Sequence, residues 1–283
     1  MTQAAGPTVA RLRLGRELRR AREAAQLSRE DVAAFLERDI STVSKMETGK
    51  MTASHAETMA LLSYLGVTDR ATTERILGIA REARKRSRDR VPDWARTFVG
   101  LEAEAAEIRG FEIDLVPGLL QVEEYTRAVA TAVEPSPDPS DVERLVQIRR
   151  ERQARLTGDN PLRLSVVLDE AAIRRVVGGP DVMRGQLQRL QDLADLPNIS
   201  VQVLPYGVGA HPAMGTSFRV LRLPEPDERH SQVVYLEDLW SADYVENAAQ
   251  VAAYVQVFDK LRSVALDPAG TASMIQKVTG DRR

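Results

Sequence analysis

The chain has 283 residues, 43% of them hydrophobic and 28% charged, which is enough for two soluble domains. With no cysteine it has no disulfide, thiol nucleophile or cysteine-ligated metal centre; with three scattered histidines (His55, His211, His230) a metal site would have to lean on carboxylates, so no metal and no cofactor is expected. Net charge is −2, but residues 1–90 hold 18 Lys and Arg against 12 Asp and Glu, while residues 91–283 hold the remaining 21 against 29, so a basic head precedes an acidic body.

Residues 1–9 show no pattern of a regular element. From Val9 to Ala24 the apolar positions Leu12, Leu14, Leu18 and Ala21 recur at helical spacing between arginines. Ser28 with Asp31 three residues on is a capping-box variant that starts a second helix at Arg29, turning Val32, Ala33, Phe35 and Leu36 inward. Asp39 is placed to cap a third helix, Ile40 to Thr48, and Gly49 suits its left-handed end. A fourth helix, about Ser54–Leu65, is expected to bury Met59, Leu62 and Leu65. A fifth, about Asp69–Arg86, is expected to bury Ile76, Leu77 and Ala80. The run Arg81–Arg90, followed by Val91-Pro92, marks a boundary between residues 1–90 and 91–283.

Beyond it a helix is expected from about Trp94 to Arg109, then a turn at Leu115–Gly118 and a helix at Gln121–Thr131. Residues 134–139 read as a stiff loop, after which Ser140 and Glu143 cap a long arginine-rich helix ending near Leu156. Leu162–Leu168 and Ile199–Leu204 read as strands, joined through a helix at Asp181–Leu196 with Met183, Leu187, Leu190 and Ala194 on one face. That unit implies parallel pairing. Phe218–Leu223 and Gln232–Leu236 read as an antiparallel pair joined by an acidic loop. Val251, Val255, Phe258 and Leu261 stripe a late helix stopped at Asp267-Pro268, before a short tail helix. The fold class expected is multidomain: an all-α, five-helix head, and an α+β second domain with a small mixed sheet of four strands.

Residues 11–66 resemble the Xre, or phage-repressor-like, helix-turn-helix family. The phrases Leu27-Ser28-Arg29-Glu30-Asp31-Val32-Ala33 and Ser41-Thr42-Val43-Ser44-Lys45-Met46-Glu47-Thr48-Gly49-Lys50 carry the resemblance. The remainder is similar to the C-terminal domain of antitoxin-like regulators from GC-rich filamentous bacteria, through phrases such as Leu115-Val116-Pro117-Gly118-Leu119-Leu120-Gln121 and Gly209-Ala210-His211-Pro212. The resemblance implies transcriptional regulation, often beside a small companion protein. One departure is plain: the turn between helices two and three, usually glycine then an apolar residue in that family, holds Glu37 and Arg38.

On the third helix Val43 and Met46 are expected to point inward, leaving Ser41, Thr42, Ser44 and Lys45 outward with Ile40 at the leading edge. Small hydroxyls let a helix lie deep in the major groove of double-stranded DNA, Lys45 can bond guanine O6/N7, and Ile40 can pack on a thymine methyl. By resemblance, Arg29 and Lys50 would hold phosphates. Arg81, Arg84, Lys85, Arg86, Arg88 and Arg90 form either a second phosphate-contacting run or a solvated linker helix. Glu47 is expected to form an ion pair within the head. A homodimer is expected, with the stripe at Val251–Leu261 either holding it or serving as core.

Three readings of the second domain stay open. As a sensor, it would use the loop 207–215 with His211 and Met214, an apolar pocket lined by Tyr206, Trp240 and Tyr244, and an anion or acidic partner at Arg149, Arg150, Arg152 and Arg155. The effector would be a small molecule or a small companion protein. As an enzyme, it would use Asp169, Glu170 and His211, but no Gly-x-Ser-x-Gly, phosphate-cradling Gly-Lys-Ser/Thr or His-Glu-x-x-His is present. As an inert body, it would only dimerise. No apolar run approaches the ~18 residues needed to cross a bilayer and no secretion-signal layout is seen, so a cytoplasmic protein with no membrane partner, nucleoid-associated when DNA-bound, is expected.

Overall fold

The computed structural model describes residues 7–84, 93–133, 138–224, 231–238 and 241–280. Among them the chain divides into two compact units, residues 1–101 and 102–283. Of the expected boundary run, Arg81–Arg90 with Val91-Pro92, residues 85–92 lie outside the described residues.

The first unit contains α1 (Pro7–Ala24), α2 (Arg29–Phe35), α3 (Ile40–Glu47), α4 (His55–Tyr64) and α5 (Arg70–Ala83). Helix α6 (Asp93–Glu104) spans the division between the units. The helix starts follow local chemistry. Ser28 and Ser54 each accept from the backbone of the third residue, while Asp31 and Glu57 reach back to the cap amide, making two capping boxes. Leu14 and Leu18 of α1 meet Val32 and Ala33 of α2, Val43 of α3, Leu61 and Leu62 of α4, and Ile76 and Ala80 of α5 in one core. Three expectations fail here. Phe35 is 41% exposed and stacks on Tyr64, ring centroids 4.0 Å apart, and Met59 is 50% exposed because Leu61 and Leu62 fill the core face of α4 instead. Leu77 is only half-buried; Ala83 and Ala80 take the inner places on α5.

The second unit is built on a six-stranded mixed sheet, not a four-stranded one: β1 (Glu107–Glu112), β2 (Arg163–Asp169), β3 (Ile199–Leu204), β4 (Phe218–Arg222), β5 (Gln232–Glu237) and β6 (Ala242–Val245), in the order β3-β2-β1-β4-β5-β6. The parallel pairing of β2 with β3 and the antiparallel pairing of β4 with β5 are as expected. The helix expected to run to Arg109 stops at Glu104, and after Ala105 and Ala106 the chain forms the central strand β1, parallel to β2 and antiparallel to β4. Its charges are absorbed across the sheet. Glu107 pairs with Arg222 at 2.9 Å and Glu112 with Arg219 at 2.5 Å.

Helix α7 (Glu123–Val133) follows a 3-10 turn at Gly118–Leu120, and α8 (Pro139–Gln153) is capped by Asp138, which accepts from Ser140 N, rather than by Ser140 and Glu143. Between β2 and β3 run α9 (Glu170–Arg174) and α10 (Pro180–Ala194); Leu193, not Ala194, completes the buried face of α10. Helix α11 (Ala248–Val264) lays Val251, Phe258 and Leu261 against Phe111, Val167, Phe218, Val220 and Val234. The Val251–Leu261 stripe is therefore core and not a surface for holding a dimer. Helix α12 (Pro268–Gly280) and the link before it close the outer edge of β3: Leu266 N donates to Val203 O at 2.9 Å and Val203 N donates to the Thr271 hydroxyl at 3.1 Å.

Candidate nucleic-acid interface

The turn joining α2 to α3 forms without glycine. Glu37 adopts the left-handed conformation, φ +54°, donating from N to Ala34 O at 3.2 Å while Arg38 N donates to Ala33 O at 2.9 Å. This pair of bonds satisfies the last carbonyls of α2 in the manner glycine usually permits at lower cost. Gly49, φ +71°, ends α3 similarly, and a Cβ there would lie 3.0 Å from the backbone of Leu12.

Helix α3 is divided by burial. Val43 and Met46 are in the core, Thr42 and Ser44 are half-buried, and Ser41, Lys45 and Lys50 are exposed; Ile40 is 47% exposed at the leading end. Asp39 holds the cap position in extended backbone but makes no side-chain cap bond. The outer face is thus small hydroxyls, one cation and one apolar side chain, with a second cation just past the helix.

Beneath that face lies an ionic knot. Glu47, its side chain 4% exposed, accepts from Arg22 Nε at 2.5 Å and Nη2 at 3.3 Å, and from Arg29 Nε at 2.8 Å. Arg22 also donates from Nη1 to Leu27 O at 2.9 Å. One carboxylate therefore ties α3 to α1 and to the start of α2. Glu47 has the internal ion-pair role expected of it. Arg29 is placed differently from the expectation of a phosphate ligand alone: its Nε is committed to Glu47 while 38% of the side chain remains exposed. Gly15 lets α1 and α3 touch, since a Cβ there would lie 2.4 Å from Glu47 O and 2.6 Å from Met46 O. Sequence reading passed over Arg22 and Gly15. A glycine inside an otherwise helical pattern was the available signal for a close backbone approach; Arg22 gave none until its partner was known to be buried.

Of the cationic run Arg81–Arg90, Arg81 in the last turn of α5 and Arg84 just past it are exposed, whereas Lys85, Arg86, Arg88 and Arg90 lie outside the described residues.

The residues singled out in the second unit fall into separate groups. Arg152 pairs with the buried Glu102 through Nε at 2.5 Å and Nη2 at 2.8 Å, and Arg155 donates from Nη2 to Ala105 O at 2.6 Å and from Nη1 to Ala103 O. Both hold structure. Arg150 is exposed and 3.7 Å from Glu123. Arg149 donates from Nη1 to Gln121 Oε1 and Thr126 Oγ1; burial first, and then the Arg152 charge, push its pKa down to about 10. At the far end of β3, Tyr206 and Met214 are exposed and the His211 ring packs edge-on to Phe111 at 5.4 Å. Trp240 lies outside the described residues. Asp169 caps α9 by accepting from Ala171 N at 2.8 Å, and Glu170 pairs with Arg174 and accepts from Tyr206 N at 2.8 Å, so both carboxylates are occupied in holding loops. Among the described residues no cluster of three or more acidic or histidine side chains could hold a metal ion, and no helix is long and apolar enough to cross a membrane.

A model described as a helix-turn-helix domain matches residues 13–76, and one described as a domain of unknown function (DUF5753) matches residues 95–277. No curated protein and no solved structure matches the chain. Carrying an N-terminal helix-turn-helix domain whose α3 turns a polar face to solvent, and matched over most of its length beyond it, the chain belongs to the DUF5753 family.

Proposed function

We propose that the chain is a sequence-specific DNA-binding transcriptional regulator of Xre type, in which α3 enters the major groove and reads base edges. The observation that carries this reading is the division of α3: Val43, Met46 and Glu47 locked inside, Ser41 and Lys45 presented outside. Thr42 and Ser44 flank that face, short enough to let the helix backbone lie deep in the groove, and Ile40 is positioned for a thymine methyl. Lys50, and the exposed part of Arg29, supply phosphate contacts that set register. A single head offers little surface for nanomolar specificity, so a homodimer reading two half-sites ~34 Å apart is part of the proposal. The second domain is then the element that responds to a small effector or to a companion protein, as in antitoxin-like regulators, and the protein works in the cytoplasm.

Selection of bound DNA from random oligonucleotides tests this directly. A palindromic site with half-sites about ten base pairs apart is expected. In gel shifts at fixed salt, Lys45→Ala should cost about 1–3 kcal/mol at one base position. Lys50→Ala should weaken all sequences alike and flatten the salt slope by ~0.9. Recovery of no enriched sequence, or full affinity in both variants, would refute the reading.

A further inference from the structure

Helix α4 turns an uncharged side to solvent. Its inner side, Thr58, Leu61 and Leu62, is buried in the head. Its outer side is His55, Ala56, Met59, Ala60, Ser63 and Tyr64, all exposed and none of them Asp, Glu, Lys or Arg. The neighbouring helices do the opposite. The outer sides of α1 and α5 are laid with ion pairs: Arg19 with Glu23 at 2.8 Å, Arg70 with Glu74 at 2.8 Å, and Arg75 with Glu17 at 2.9 Å between the two helices. The single carboxylate of α4, Glu57, is drawn into its own cap, accepting from Ser54 N at 2.8 Å and from Arg38 Nη2 at 3.3 Å. Phe35 of α2 extends the face, stacking flat on Tyr64 with 7° between the ring planes while both rings stay exposed. A surface helix ordinarily carries charge on its solvent side, and a contiguous apolar area in its place marks a contact surface.

This face is fixed to the helix that reads DNA. The link between α3 and α4 is residues 48–54, and Met51 N donates back to Lys45 O at 2.9 Å. Ala53 of the same link is buried. Whatever docks on α4 therefore sits at a set position relative to Ser41 and Lys45.

Charge identifies the occupant. Residues 1–90 hold 18 Lys and Arg against 12 Asp and Glu, so two heads repel where their charged surfaces meet. In a two-fold contact, residues near the axis face their own copies, and any charge there meets the same charge. A strongly charged companion would be matched by opposite charges, and the outer side of α4 supplies none. An uncharged face is where one basic head can approach another. Its size sets the strength. Ten helical residues make a strip about 15 Å long and about 10 Å wide, on the order of 300 Å² per partner with the stacked rings. A standard stable interface takes about 800 Å² per partner. Such a contact is weak in free solution and becomes effective when one duplex holds two heads side by side.

We propose that the outer face of α4, with the Phe35–Tyr64 stack, docks on the same face of a second copy, and that this contact couples two heads on one duplex. The coupling role rests on the DNA-binding reading; the contact itself does not.

The chain has no cysteine, so a single introduced thiol can form a disulfide only between copies. Full-length Ala60→Cys is oxidised with copper–phenanthroline at about 0.1–1 mM chain, where a weak contact is populated. Arg70→Cys, at an exposed position on α5, is the control for random collision. Ala60→Cys is expected to cross-link about tenfold faster or more. Adding Met59→Glu or Met59→Lys, each placing like charges across the contact at an exposed position, should return the rate to that of the control. A rate no greater than the control, or a fast rate that neither Met59 variant lowers, would overturn the proposal. So would slow alkylation of the Ala60→Cys thiol at every protein concentration, which would mean that the face is covered within a single chain. On a palindromic duplex recovered by selection, the second half-site should bind about 5- to 150-fold more tightly than the first. Both Met59 variants should remove that difference, although they change the charge of the head in opposite directions. Equal binding of the two half-sites by the parent would overturn the coupling role. Cross-linking needs no DNA, so a failed selection would leave the contact decided on its own, and a failed cross-link would leave the reading of α3 standing.

Discussion

Replacing Glu47 by alanine should unfold the head more readily than any substitution on its surface. The side chain is 4% exposed and accepts three hydrogen bonds, two from Arg22 and one from Arg29. Hydrogen bonds to charged groups contribute about 1.5–3 kcal/mol each, but these share one carboxylate and are not additive. The larger effect is on Arg22, only 11% exposed, whose charge would be left with the half-exposed Glu23, 3.6 Å from Nη2, as its acidic neighbour. Breaking a buried pair on one side costs about 3–5 kcal/mol, whereas replacing both partners by apolar groups of similar volume is often close to neutral. Glu47→Ala should therefore lose about 3–5 kcal/mol, and the double variant Arg22→Met/Glu47→Leu should recover most of that loss. A remaining deficit of about 1 kcal/mol is expected from Leu27 O, which loses its Arg22 donor. Because the chain has two units, the reading must be local. Hydrogen exchange of peptides from α1–α5 in the intact protein reports on the head alone, and 3–5 kcal/mol corresponds to roughly 10²- to 10³·⁵-fold faster exchange of the slowest amides. A Glu47→Ala protein within about 1 kcal/mol of the parent, or a double variant no more stable than the single, would refute the argument that this carboxylate holds α3 in place.

Gly15→Ala should destabilise the head by about 1–3 kcal/mol, despite the better helix propensity of alanine, because the new methyl meets the backbone of Glu47 at 2.4 Å. Denaturant unfolding checks the loss, and a lower DNA affinity should accompany it as α3 is displaced. Glu37→Gly should stabilise the head by about 1 kcal/mol by relieving the left-handed conformation at φ +54°, measurable as slower exchange in α2 and α3. Once the pH falls below the ordinary carboxylate values the caps should loosen. The Ser28 hydroxyl and amide hold Asp31, and the Ser54 amide and hydroxyl hold Glu57, below their ordinary values of 3.8 and 4.5. Their folded values are depressed, so their contribution is present above those ordinary values and is lost as pH falls through the lower, folded ones. Protection of the amides at the starts of α2 and α4, taken relative to the intrinsic exchange rate at each pH, should fall on going from pH 5 toward pH 3, and Ser28→Ala with Ser54→Ala should flatten that dependence.

The head was legible because its signals are local. Ser28 and Asp31, or Gly49 at the end of α3, are three residues or fewer from what they act on. What escaped depended on partners far along the chain. Nothing within Glu107–Glu112 marks a central strand: it has one β-branched residue, a glycine and three charges, and directly follows a helix. Those charges are compatible with a sheet because Arg219 and Arg222 of β4 meet the two glutamates and Arg109 pairs with Glu107 at 3.2 Å. Phe35 was misjudged because periodicity cannot tell a core contact from a surface ring stacked on Tyr64. The buried partners of Glu47 were likewise invisible, since Arg22 is one of many arginines in α1 and only burial distinguishes it.

The place of β1 between β2 and β4 also sets an order of events during synthesis on the ribosome. The head has all its core residues within its first few helices and can collapse as soon as α5 emerges. Strand β1 appears next, yet one flank must wait for Arg163–Asp169 and the other for Phe218–Arg222. At translation speeds of about 5–20 residues per second the second wait is roughly 5–20 s. For that interval Phe111 and its neighbours have no finished sheet to enter, so the nascent chain carries a folded head ahead of an adhesive segment that only the late strands can cover.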